Sequence, residues 1–269
     1  MTAITLEKPP GFVVREEAHK AAYENGFRID LGIHDGWIGY RSTTARGDIW
    51  IGRAASQGPW LLSITHTCVA SELEPEFHRD RYDSVVGPGC AAYAFTNLQQ
   101  LYLVLDRVYK LGVSLPDAPL EAFNKITAHL PRTTEAERLV VQRVGQDLFR
   151  RALLDYWGER CPQTGITDPD LLRASHIVPW AECESDALRL DVHNGLLLSA
   201  LWDAAFDAGL ISFADNGAVL RSPNLTPDAA GALNLDTAPL LGPLTELHRA
   251  NLARHRARHF YSGNDHQNE

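Results

Sequence analysis

No run of apolar side chains in this chain approaches the roughly 20 residues that cross a bilayer, so a membrane-spanning helix is not expected. Cysteine is scarce: Cys68, Cys90, Cys161 and Cys183 lie scattered and form no Cys-x-x-Cys pair. They read as reduced thiols, not as a disulfide frame or a zinc knuckle. The stretch from Met1 to Pro10 has neither a basic n-region nor an apolar h-region, so the expected location is cytoplasmic. Internal repeats and low-complexity segments are also missing. Lysine is absent after Lys125, which leaves arginine to carry the side-chain cations of the second half. Arginine's planar fork suits bidentate phosphate contacts, although a GC-rich genome enriches arginine as well. Positive charge is short overall. The net charge of −9 argues against a simple nucleic-acid coat protein, which needs a positive surface. It leaves room for an enzyme acting on nucleic acid, because metal-binding carboxylates enter that sum as negative charge.

At 269 residues, with 45% apolar and 22% charged residues, the chain suits a globular protein of two modest domains or one domain with an appendage. Short β-branched or aromatic runs at Phe27–Leu31, Trp37–Tyr40, Ile49–Gly52 and Trp60–Ile64, separated by turn signals, predict strands. A helix is expected over 15–25 before them. A polar, acidic stretch follows around Glu72–Asp83. Thr96 or Asn97 can then cap a helix running to about Lys110, and a shorter helix is expected between Pro119 and His129.

Leu130-Pro131-Arg132-Thr133 makes a boundary, since proline ends what precedes it. Thr134-x-x-Glu137 then offers a capping box for a long amphipathic helix. From Cys161 the texture changes. Leu171–Trp180 predicts a strand, 181–193 a polar loop, and Gly195–Ser199 a second strand. Residues 200–208 predict a helix stopped by Gly209. Asp215-Asn216-Gly217 between Leu210–Phe213 and Ala218–Arg221 predicts a small hairpin. The fold class expected is α+β. Its parts are a β-rich region with helices over 1–130, a linker helix over 131–160, a ββα domain over 161–262 and a disordered tail over 263–269.

Between Ser175 and Asp207 stand Ser175-His176, Asn194, Asp203 and Asp207. A neutral imidazole can take a proton from water near pH 7. Carboxylates four apart on a helix share one face and can grip a hard divalent cation. An Asn amide can lock a loop. Each residue alone has a plainer reading. A lone His in an apolar strand is more often a hydrogen-bonded core residue, an i,i+4 acidic pair is more often a solvated face, and Asn-Gly is most often a turn. Trp180 and Trp202 are expected in the core. Arg173 and Arg189 flank the constellation and can contact phosphate, surface or loop-bracing roles being equally open. His248–His259, which includes Arg254, Arg256 and Arg258, is basic and helix-compatible, and can lie along a DNA backbone or form a solvated helix.

A ββα unit carrying this set resembles the HNH, or ββα-metal, endonucleases. It is nearest to the branch, described in part as restriction endonucleases, written around Cys161-Pro162-Gln163-Thr164-Gly165, Ala174–Trp180, Asn194–Leu198 and Asp203-x-x-Phe206-Asp207-x-Gly209. The resemblance covers about 90 residues, extends upstream to Gly145-Gln146-x-x-Phe149-Arg150, and does not reach the first 130. It implies that His176 is the general base, that Asn194 braces the loop holding it, and that Asp203 and Asp207 bind the metal. Ser175 stands where many members place an aspartate or histidine ligand. The implied cofactor is a divalent cation, Mg²⁺ or Mn²⁺ by the carboxylate donors. The implied reaction is DNA phosphodiester hydrolysis leaving 5′-phosphate and 3′-hydroxyl ends, falling off on the acidic side of about 6.5. The first 130 residues are left with three roles: reading DNA, modified DNA included, with Trp37, Trp50 or Trp60 in a base pocket or in the core; binding protein; or dimerisation. Rival readings are a non-catalytic DNA-binding or structural protein that keeps the fold, and an RNA-directed or toxin nuclease.

Overall fold

A computed structural model describes residues 5–82, 87–115, 117–131 and 133–260. The 263–269 tail, Asp83 and Arg132 lie outside these residues. The fold is mixed α+β, and the chain separates into two compact units, one ending at Ala118 and the other starting at Pro119.

The first unit is built on an antiparallel meander of β1 (Ile29–His34), β2 (Trp37–Arg41), β3 (Asp48–Arg53), β4 (Trp60–Ile64) and β5 (Ala91–Phe95), in that spatial order. Helices α1 (Phe12–Glu24), α2 (Thr67–Phe77) and α3 (Leu98–Ser114) complete it. The Asn97 side chain caps α3 by accepting from Gln100 N–H at 2.9 Å. Trp37 and Trp60 are buried core residues, whereas Trp50 is half-buried. Two elements have no sequence signal of matching strength. Strand β5 contains three alanines, weak strand formers, and its register with β4 holds it in place. Helix α2 occupies much of the acidic stretch. Its Pro75 and its charges mask an apolar face of Val69, Ala70 and Leu73.

The second unit holds α4 (Asp117–Thr127, which begins two residues before the division) and α5 (Glu135–Tyr156). The capping box forms: Glu137 N–H donates to Thr134 Oγ1 at 3.2 Å, and Thr134 N–H donates back to the Glu137 carboxylate at 2.9 Å. Val141, Leu148, Phe149, Ala152 and Leu153 of α5 are buried. Strand β6 (Leu172–His176) pairs antiparallel with β7 (Gly195–Ser199), His176 opposite Gly195 and Leu172 opposite Ser199. Helix α6 (Asp186–Leu190) lies between these strands, and α7 (Ala200–Asp207) follows β7 directly. The hairpin β8 (Ile211–Phe213) and β9 (Val219–Arg221), α8 (Pro227–Ala232) and α9 (Glu246–Phe260) finish the unit.

Strand β6 ends at His176 and not at Trp180. The N–H groups of Ile177 and Val178 turn to the main-chain and side-chain oxygens of Asn194, at 3.0 and 2.8 Å, and Pro179 has no N–H to continue a ladder. The expected polar loop contains α6, capped by Ser185 Oγ, which accepts from Leu188 N–H. All five residues of β7 are buried. Its Leu196, Leu197 and Leu198 join Leu172, Trp202, Phe206, Ile211, Phe213 and Leu252 in the core beneath the ββα unit. Each such side chain contributes about 1.5–3 kcal/mol by leaving water.

Candidate active site

Strand β6, helix α7 and helix α9 meet around a cleft of about 460 Å³, lined by Arg173, Ser175, His176, Trp180, Asp203, Asp207, His255, Arg258 and His259 among others. Helix periodicity explains the carboxylates. Trp202 and Phe206 turn into the core, so Asp203 and Asp207, one turn apart, share the adjoining face and the cleft. Burial and the neighbouring Asp203 push the Asp207 carboxyl up to about 6. The buried Ser175 hydroxyl donates to a carboxylate oxygen of Asp203.

His176 ends β6 at the cleft wall. Its Nε2 lies 2.9 Å from the main-chain carbonyl of Arg189. A carbonyl oxygen only accepts, so Nε2 carries the proton and Nδ1 keeps its lone pair. The ring stacks on Phe149, with centroids 3.8 Å apart and planes inclined by 18°, and meets the edge of Trp180 at 5.5 Å. Burial lowers the imidazole pKa, and the Arg189 carbonyl opposes that shift. The ring is therefore neutral at pH 7 and takes up a proton only below the 6.5 of an ordinary histidine. Trp180 is a cleft residue and not the core residue expected of it.

Asn194 is fully buried away from the cleft. Its Oδ1 accepts from Val178 N–H at 2.8 Å, and its Nδ2 donates to the carbonyls of Val178 and Leu188, both at 3.2 Å. These bonds tie the segment after His176 to the start of β7. Arg189 faces inward as well: its guanidinium donates to the carbonyls of Trp180 and Cys183 and pairs with Asp186. Arg256 donates to the Phe213 carbonyl and pairs with Asp215, both at 2.7 Å, which ties α9 to the β8–β9 hairpin. Arg173 lines the cleft and donates to the carbonyls of Asp170 and Leu172. Arg258 lines it and pairs with Glu182 at 2.6 Å, while Arg254 is exposed on α9. The cleft thus gathers Ser175, His176, Asp203, Asp207, Arg173 and Arg258. Asn194, Arg189, Arg254 and Arg256 do not line it.

Three cleft neighbours have no assignment from sequence. His255 donates from Nε2 to the Phe206 carbonyl at 3.1 Å and accepts at Nδ1 from Ser212 Oγ at 3.0 Å. Burial first, then the neighbouring His259, pushes it down to about 4. His259 packs over Gly209, just past α7. Their i,i+4 spacing in the basic segment was the available signal. Phe149 stands in the upstream Gly145–Arg150 part of the resemblance, but its contact with His176, far along the chain, had no signal.

Residues 161–214 match the HNH endonuclease family model. The HNH match spans β6, β7, α7 and β8 and bears out the resemblance read from the motifs. An HNH endonuclease segment points to nuclease activity and hence to a nucleic-acid substrate. Comparison with curated proteins gives no match. Among the described residues no helix is long and apolar enough to cross a membrane.

HNH nucleases generally depend on a divalent metal, and the donor set here suits a hard one. Two carboxylates face one cleft, and the upward push on Asp207 comes from burial first and then from the charge of Asp203, both of which a bound cation would offset. Among the described residues no group of three His, Cys, Asp or Glu side chains is arranged to enclose an ion. Mg²⁺ accepts one or two carboxylates with waters completing its shell.

Proposed function

We propose that the protein is a metal-dependent DNA endonuclease of a restriction or phage-defence kind, with His176 as the general base. The observation that carries this reading is the opening of one cleft to both the Asp203–Asp207 pair and a neutral His176 whose Nε2 is already engaged. Nδ1 of His176 accepts a proton from a water molecule as that water attacks phosphorus. The bond from phosphorus to the 3′ oxygen breaks, leaving a 5′-phosphate and, after protonation from solvent, a 3′-hydroxyl. Asp203 and Asp207 would hold Mg²⁺ or Mn²⁺, and Ser175 contributes through its hydrogen bond to Asp203. Such an ion would offset negative charge developing on the phosphate oxygens. Asn194 braces the loop after His176. Arg173 and Arg258 at the cleft, with Arg254 on the outer surface of α9, contact the phosphate backbone.

The first unit is the DNA-reading or dimerisation part of this proposal. With Trp37 and Trp60 in its core, Trp50 is the one of the three still able to meet a base. Cleavage of a panel of modified and unmodified DNAs, with RNA beside them, tests the substrate. Cutting of DNA with Mg²⁺ or Mn²⁺ is expected, and cutting of RNA alone would overturn the assignment.

A further inference from the structure

We infer that Phe149 is a positioning residue for His176, and that α5, upstream of the HNH match, is part of the catalytic framework. The inference rests on His176 being the base. A hydrogen bond at Nε2 fixes one ring atom but lets the imidazole swing about the N–O axis. Phe149, 1% exposed and stacked at 3.8 Å, removes that swing by fixing the ring plane. Trp180 closes the edge. The Nδ1 lone pair is then held in one direction.

Three further contacts join α5 to this arrangement. Gly195, the β7 partner of His176, sits where a Cβ would lie 2.5 Å from Phe149 Cζ and 2.8 Å from Leu153 Cδ1. Absence of a side chain opposite the base is what lets Phe149 reach over it. One turn earlier on α5, a Cβ on Gly145 would lie 2.5 Å from Trp180 Cη2, so the second aromatic wall also packs on bare helix backbone. Arg150 donates to the carbonyls of Leu172 and Pro169, at 2.9 and 2.7 Å, and anchors α5 to the start of the strand that ends in His176. Glycine, aromatic and arginine thus serve the same histidine from positions 145, 149 and 150.

The test uses the full chain carrying Phe149→Leu, with Phe149→Met in its place if that variant does not fold. Histidine ring resonances and steady-state cleavage with Mn²⁺ are both measured. Loss of the ring should move the His176 resonances downfield and lower kcat by about 10²-fold, the scale of a misplaced reacting group, with KM and Mn²⁺ affinity within about twofold. Unchanged His176 resonances in the leucine variant, or a loss falling equally on KM and Mn²⁺ affinity, would overturn the inference. If the wild-type protein cuts no nucleic acid, the nuclease reading fails. The resonances then decide alone whether Phe149 sets the ring.

Discussion

His176 donates its Nε2 proton to the Arg189 carbonyl at 2.9 Å, and this bond decides which end of the imidazole can act as a base. The same Arg189 side chain binds the carbonyls of Trp180 and Cys183, so the loop that supplies the acceptor is itself anchored. Replacement of Arg189 by Lys, which cannot reproduce that fork, should loosen the loop and lower kcat more than substrate affinity. Cleavage rates at saturating and limiting DNA separate the two. A purely additive loss of DNA affinity would assign Arg189 to phosphate binding instead.

Asn194→Ala should destabilise the second unit by about 2–4 kcal/mol, because several buried partners of one amide lose their bond together. Urea unfolding measures it. Asn194→Asp should be at least as damaging at neutral pH, since its carboxylate would face the Val178 and Leu188 carbonyls to which the amide donates.

Stability should fall on acidification from neutrality. His248 and His255 are buried, and burial pushes them down from 6.5 to about 3 and about 4. Below pH 6.5 the unfolded chain takes up protons that the folded chain refuses, so stability is present above 6.5 and is lost as pH falls toward the folded values. Between pH 6.5 and 5 the loss is up to about 2 kcal/mol per histidine. Urea unfolding at both pH values checks it, and His255→Gln should shrink the slope.

Cation affinity should rise with pH through about 6, the value to which burial and Asp203 raise Asp207, because only the ionised carboxylate is a ligand. Mn²⁺ titrations at pH 5 and 7 measure the change. Asp203→Asn should weaken binding at both and reduce the pH dependence, since it removes the neighbouring charge. Flat affinity in the wild type would contradict the role given to this pair.

The ββα unit is legible in the sequence because its signals are local and dense. Three leucines follow Asn194-Gly195, and Asp203 and Asp207 fall on the polar face of a helix whose Trp202 and Phe206 are apolar. Strand β5 and helix α2 are not legible, since alanines at 91, 92 and 94 favour no strand and Pro75 argues against a helix that its buried face nonetheless holds. The stacking of Phe149 on His176 is a long-range contact that no periodicity encodes. His255 shows the opposite failure. It sits in a segment read for its charge, yet its ring is buried and stacked on Phe206.

In the proposed mechanism His176 drives metal-dependent cleavage from this cleft, and nicking of supercoiled plasmid reads that role. Wild-type protein should nick DNA with Mg²⁺ or Mn²⁺ and stop on chelation. His176→Ala should fold and bind Mn²⁺ as before while losing about 10²–10⁴ in rate. Undiminished nicking by His176→Ala, or no cleavage by wild type with either metal, would contradict the account.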